Sequence, residues 1–199
     1  VSCSNCMVVP LAISLAPILK KFPVKSIRID TEQSISGAGR GALERFREGV
    51  IPGPEIIGEP ESVVSELRRI LEIHEGSESH NIDIEITAEC ERVHREFGHS
   101  AKVEVELSKN FSAHELIEAW SHFQSTVGSL DLPSINQKSL IFVSDINQTI
   151  SSINYSDMES SEEIMQRLMN VYVGEVNLSE GKLCFKVASD NTVRGAAGN

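Results

Sequence analysis

The sequence predicts an α+β domain, a mixed and largely antiparallel β-sheet with helices on one face. Three observations lead there. Segments of helical and of strand period are interspersed along the chain. The later strand segments follow one another as a hairpin, with no regular helix between them. The fingerprint of a doubly wound nucleotide-binding fold is missing: SGAG after the first strand is not G-x-G-x-x-G, and no suitable acidic residue follows. Together these favour α+β over a doubly wound sheet.

Met7 to Leu19 reads as a helix, with Pro17 in its last turn and Pro23 beyond its end. Ile27 to Thr31 alternates like a strand. SISGAGRGA is a glycine-rich turn into the charged, amphipathic stretch Leu43 to Glu48. GVIPGPEIIGEP is loop, because Pro and Gly are closely spaced. Glu61 to Ile73 is a helix with Val63, Val64, Leu67, Ile70 and Leu71 on one face. HEGSESHN is a polar loop. Ile82 to Val93 and Ala101 to Leu107 are strands joined by HREFGHS, the second alternating as AKVEVEL. Ser112 to Ser125 is a helix with Ser112 and Glu115 as its capping box. Ser139 to Val143 is a short strand, and the Asn- and Ser-rich stretch Asp145 to Ser161 is loop. Asn170 to Asn177 and Lys182 to Ala188 flank LSEG as a hairpin, and DNTVRGAAGN begins another glycine-rich turn. No internal repeat is present.

The 199 residues suit one domain, 1–199, able to bury a substantial core. Eighteen Lys and Arg against 29 Asp and Glu leave a net charge of −11, which argues against general binding to nucleic acid or anionic membranes. The apolar runs are too short or too interrupted to span a bilayer, and the first one lacks the basic leader of a signal peptide. Of the four cysteines, Cys3 and Cys6 form C-x-x-C with no second pair or paired His at zinc spacing, so no metal site is expected. Cys90 and Cys184 read as small hydrophobes in strands. No disulfide framework is implied, and a cytoplasmic location follows.

The strongest chemical signal lies near the start. Cys6 follows Asn5 and precedes the first helix, where the macrodipole and unpaired N–H groups favour a thiolate. Three more pieces carry reactive side chains: Glu32-Gln33 with Ser36-Gly37-Ala38-Gly39, Cys90-Glu91-Arg92, and Gly98-His99-Ser100. Singly each has a structural explanation. In this order they resemble the catalytic and dimerisation domain of the aspartate-semialdehyde dehydrogenase family, near its archaeal and fungal branch. The matching segments are Asn5-Cys6 with Pro17, QSISGAG from Gln33 to Gly39, Cys90-x-Arg92-Val93 with Gly98-His99, and DNTVRGAAG from Asp190 to Gly198.

The resemblance implies the fold of the C-terminal domain of glyceraldehyde-3-phosphate dehydrogenase. It implies NADP-dependent reductive dephosphorylation of 4-phospho-aspartate to the semialdehyde, in amino-acid biosynthesis. Cys6 would attack the carbonyl carbon and carry a thioacyl group. His99 would act as general acid/base with a pKa near neutrality, and Gln33 would orient the reacting groups. Arg92 would hold the substrate carboxylate, Glu59 the amino group, and Asn5 would contact phosphate. Ser36, Gly37 and Asn191 would line the nicotinamide side of the NADP pocket. A homodimer is implied through the sheet's open face, expected to be apolar along 101–107 and 170–177.

Two departures accompany the resemblance. The family's phosphate-binding lysine, three residues after the amino-binding glutamate, is here Ser62, which cannot offset phosphate charge; His94 and Arg95 are candidates for a replacement charge that nothing in the sequence places at the site. The family's N-terminal Rossmann domain and final helix have no counterpart, so the chain is expected to be a fragment that binds NADP weakly and does not turn over. A malonyl-CoA-type thioester reductase and a non-catalytic dimerising paralogue are the rival readings. An N-acetyl-glutamyl-phosphate reductase fits QSISGAG poorly.

Overall fold

The first helix, α1 (Val8–Lys21), buries Val8, Leu11, Leu15 and Ile18, a stripe at helical spacing. Pro10 falls in its first turn, where no N–H partner is lost, and Pro17 is carried inside its last turns. It stops at Phe22, whose extended backbone is the conformation that a following Pro23 demands. The computed structural model describes residues 3–73, 84–123, 140–151 and 167–197. The HEGSESHN loop, the first residues of the strand expected from Ile82, the end of the helix expected to reach Ser125, Ser139 and most of 145–161 lie outside them.

β1 (Val24–Gln33) is longer than the alternation alone predicts, because it is paired on both sides. A 3-10 turn (Ile35–Ala38) and α2 (Arg40–Arg47) follow, then α3 (Glu59–Ile73), β2 (Glu85–Arg92), β3 (His99–Leu107) and α4 (Ala113–Ser121). The Ser112–Glu115 capping box of α4 forms as the sequence predicts. β4 (Leu140–Val143), α5 (Ile146–Ser151), β5 (Val171–Ser179) and β6 (Lys182–Ser189) lead to a π-helical turn, Val193–Ala197. Glu180 and Gly181 both take positive φ in the two-residue turn between β5 and β6, the geometry of the expected hairpin.

The six strands form one mixed sheet in the order β2-β1-β3-β6-β5-β4. The three central pairings are antiparallel; β1 with β2 and β4 with β5 are parallel. α1, α3 and α4 bury one face in a single cluster that includes Leu67, Ile29, Val103 and Phe185. Trp120 is its largest side chain, edge-on to Phe185 at 5.1 Å, with its indole N–H donating to Ser14 O at 2.8 Å.

Two expectations change here. Within the stretch read as loop, Ile146–Ser151 is helical, and Ile146 and Ile150 pack with Tyr172 and Ala188 on the opposite face of the sheet. Not every helix therefore sits on one side. The rest of that second face is not apolar. Arg28 pairs with Asp30 and Glu89, Lys102 with Glu104, and Lys186 with Glu175. The alternation expected over 170–177 is also broken, by a register shift between Gly174 and Asn177 with Glu175 at φ 52°.

Trp120→Phe removes the indole hydrogen bond and some packed volume. It should lower unfolding free energy by about 2 kcal/mol in urea titrations.

Candidate active site

Topology assembles the site at one end of the sheet. Gln33 and Arg92 are register partners at the C-terminal ends of parallel β1 and β2. His99 begins antiparallel β3 and pairs with Ser189, the last residue of β6. Asp190 and Asn191 follow directly. The turn containing Cys6, which leads into α1, lies under the π-helical turn: a Cβ on Gly195 would meet Cys6 Cβ at 2.7 Å and Cys6 O at 2.9 Å.

Asn5 shapes the thiol's turn. Its Oδ1 accepts from Met7 N–H at 2.8 Å and its carbonyl from Val8 N–H at 3.0 Å. Its Nδ2 donates to Glu59 Oε1 at 2.9 Å, and Gln33 Nε2 donates to the same oxygen at 2.7 Å. Glu59 thus bridges the chain's first turn and the end of β1. The expected thiolate does not form. Burial, followed by the negative Glu59, pushes the Cys6 thiol up to about 11; local backbone N–H groups and Arg92 pull the other way and lose.

His99 is fully buried. Its Nδ1 accepts the Ser34 backbone N–H at 3.0 Å, and Ser34 Oγ lies 3.1 Å away. An imidazole nitrogen that accepts a backbone N–H carries no proton, so the neutral ring holds its hydrogen on Nε2. Nε2 is buried and has no hydrogen-bond partner. It faces the space a Cβ on Gly37 would fill, 3.1 Å from that position, with Arg92 Nη1 3.6 Å from it. Burial, and then the cationic Arg95 and Arg92, hold the imidazole down to about 3. The expectation of a near-neutral pKa is therefore overturned: this is a neutral donor at physiological pH.

The other side chains brace that donor. Asn191 Oδ1 accepts from Gly98 N–H at 2.9 Å and from Ser34 Oγ at 3.2 Å, while its Nδ2 donates to Ser36 Oγ at 3.0 Å. Arg92 Nη1 donates to Ser34 O at 3.0 Å. The charge of Arg92 acts, weakly, on both Cys6 and His99.

Ser62 is held by a carboxylate: its Oγ donates to Glu66 Oε1 at 3.0 Å, and Glu66 Oε2 accepts Asn5 N–H at 2.6 Å. Arg95 is committed to Gly98 O, Glu32 O and Ser100 Oγ, and the His94 ring lies 6.5 Å from that of Phe46. The sequence reading missed Ser34 and Glu66. Ser34 sits inside QSISGAG and was available to it; Glu66, one turn beyond Ser62 on the same helix face, could have been found from spacing alone.

The architecture, a six-stranded mixed sheet with helices, is the fold seen in solved aspartate semialdehyde dehydrogenases. An aspartate semialdehyde dehydrogenase from Candida albicans, solved with NADP, superposes over the whole chain and 54% of its own length, with TM-score 0.71 and 20% identity. The Vibrio cholerae aspartate semialdehyde dehydrogenase II gives 0.67 at 20% identity, over 98% of this chain and 58% of that one. No protein-family profile matches. In sequence the chain is 28% identical to the aspartate-semialdehyde dehydrogenase of Methanothermobacter thermautotrophicus over 198 residues, and 28% identical to that of Aspergillus fumigatus over 210. Each match covers 98% of this chain and 54% of the relative, so the chain spans about half the length of the curated relatives it matches. These similarities relate it to the aspartate-semialdehyde dehydrogenase family.

Two outcomes follow from the titrations. In a Cys3→Ser background, Cys6 alkylation by iodoacetamide should rise roughly tenfold per pH unit from pH 7 to 10 without a plateau. Glu59→Gln should accelerate it and Arg92→Leu slow it. Below pH 6.5 the unfolded chain binds a proton at His99 that the folded chain refuses. Stability should therefore fall as pH drops from 6.5 toward 3, by up to about 1.4 kcal/mol per pH unit, and His99→Gln should flatten that slope in denaturant titrations.

Proposed function

We propose that residues 1–199 form the catalytic and dimerisation domain of an NADP-dependent aspartate-semialdehyde dehydrogenase of the cytoplasm, acting in amino-acid biosynthesis. The observation that carries this is the unpartnered Nε2–H of His99, aimed into the gap before Gly37 and flanked by Arg92, whose charge also acts on the Cys6 thiol. A reacting carbonyl needs such a donor where its oxygen gathers charge.

Arg92 offers a planar fork to the substrate carboxylate. Glu59 takes the amino group, already oriented by Asn5 and Gln33. An ammonium on Glu59 cancels the second cause that keeps the Cys6 thiol protonated, so recognition of the right substrate helps to ionise the nucleophile. The Cys6 sulfur then bonds to the carbonyl carbon, the thiol proton leaves to solvent, and the carbon–oxygen bond to phosphate breaks with its electron pair on phosphate. His99 Nε2–H donates to the carbonyl oxygen throughout. In this reading its role is a donor's and not a general base's.

The residues present fit NADP. Gly37 is exposed and lacks a Cβ, so a flat ring can approach His99, and Ser36 and Asn191 stand beside it. When bound, the cofactor supplies the hydride that converts a thioacyl group to an aldehyde. The 199 residues alone are proposed to bind NADP weakly and not to turn over. Self-association would use the sheet's charged second face, with complementary ion pairs in place of an apolar seam.

The Ser62–Glu66 contact favours one second reading, a thioester reductase of the malonyl-CoA type, because Ser62 is bonded to a carboxylate and offers a phosphate no charge. Acylation of the chain itself separates the two. Incubated with β-aspartyl phosphate, the chain should gain an aspartyl adduct by intact mass, lost in Cys6→Ala and slowed about 100-fold in His99→Leu. An adduct from malonyl-CoA alone would select the thioester reading. No adduct from either donor would leave a non-catalytic domain.

A further inference from the structure

The first helix begins without the groups that usually settle a helix start. Its N-cap residue, Met7, has no polar side chain to offer, and its first turn holds no acid. The unpaired N–H groups there still need acceptors. Asn5 supplies them, accepting from Met7 N–H through Oδ1 and from Val8 N–H through its carbonyl. Cys6 is thus carried on a turn whose shape depends on where Asn5 is held.

Two carboxylates of α3 hold Asn5. Glu59 accepts from its side-chain amide at 2.9 Å, and Glu66 Oε2 accepts from its backbone N–H at 2.6 Å. Glu59, Ser62 and Glu66 follow one another at helical spacing along one face. Val63 and Leu67, their neighbours in sequence, are buried in the same core as Val8 and Leu11 of α1, which fixes α3 against the turn it grips. The other oxygen of Glu66, Oε1, accepts from Ser62 Oγ at 3.0 Å. A carboxylate bonded at both oxygens has its orientation set. The two acids differ in what they do to the thiol. The charges acting on it are those of Glu59 and Arg92. Glu66 reaches it through the Asn5 backbone.

We infer that Glu66 is a positioning residue for Cys6: its carboxylate fixes the Asn5 backbone N–H, and with it the turn that presents the thiol, while the Ser62 hydroxyl aims that carboxylate and binds no part of the substrate. The inference rests on Cys6 as the nucleophile of the proposed function. It gives Ser62 a task at the position where the family resemblance expects a lysine. Attack on a carbonyl is sensitive to placement, and an error of about 1 Å costs on the order of 100-fold in rate. Without Glu66 the turn keeps the Asn5 bonds to Glu59, Met7 and Val8, so the expected loss is smaller than that.

The test compares the wild-type chain with Glu66→Ala, Glu66→Gln and Ser62→Ala. Acylation is followed by intact mass over a range of β-aspartyl phosphate concentrations, or of malonyl-CoA should that donor alone react. Hydrogen exchange of the Asn5 amide is followed by NMR in the same four proteins, with the Leu15 and Ile18 amides of α1 as folding controls. Glu66→Ala should lower the saturating acylation rate about tenfold at an unchanged half-saturating concentration, and the Asn5 amide should lose protection. Glu66→Gln should recover both, because its amide oxygen still accepts the Asn5 N–H and its NH2 donates to Ser62 Oγ. Ser62→Ala should slow acylation about threefold, again without a change in half-saturation. A wild-type rate in Glu66→Ala would overturn the inference, as would a Glu66→Gln variant no faster than Glu66→Ala. A Ser62→Ala variant that needs more β-aspartyl phosphate at an intact saturating rate would overturn it too, since Ser62 would then hold the leaving group. If neither donor acylates the wild-type chain, the proposed function falls and the exchange measurement decides alone. Protection lost in Glu66→Ala would then retain the hold on the Cys6 turn, and protection unchanged would end it.

Discussion

The hydrogen bond from the Ser34 backbone N–H to His99 Nδ1 is the constraint on which the rest of the site depends. It decides which nitrogen carries the proton, and so whether the ring gives or takes. With Nδ1 occupied by a donor, the ring has one free function, an N–H aimed at the gap before Gly37. Ser34 can make this bond because it follows β1 directly while His99 opens the antiparallel neighbour β3. Arg92 fixes Ser34 from behind through its carbonyl, and Asn191 fixes Gly98 in front of the histidine. Backbone geometry, not a carboxylate partner, sets the tautomer.

The electrostatics follow from that arrangement. Burial, helped by two arginines, holds the His99 imidazole neutral, and one of those arginines also acts on a buried thiol. The carboxylate nearest the thiol opposes ionisation, and it is itself held by two amide side chains. A site built this way is quiet without substrate. In the proposed reading, its reactivity appears when an incoming cation and anion satisfy Glu59 and the arginines, which couples recognition of both ends of the substrate to activation of the nucleophile.

Much of the fold was legible in the sequence, because α1, α3, α4 and the strands carry strong periodic patterns and recognisable caps. Ile146–Ser151 was not, since a six-residue helix with Asn, Gln, Thr and Ser has little helical signature apart from Ile146 and Ile150. The second face of the sheet was misjudged for a related reason. Alternation shows that residues 101–107 have two faces, but AKVEVEL places Lys and Glu on one of them, and charge there was visible. The residues that meet at the end of the sheet were legible through their order and not their spacing. The protonation states were not, because burial and the Ser34 contact arise only when β1 and β3 pair. A thiol beside a helix start reads as acidic from sequence, yet Glu59 arrives from 53 residues away.

The state of the His99 ring tests this account most directly. Long-range 1H–15N correlation of the folded chain should show Nδ1 unprotonated and Nε2 protonated, unchanged from pH 8 down to pH 5. An imidazolium appearing near pH 6, or the opposite tautomer with hydrogen on Nδ1, would contradict it.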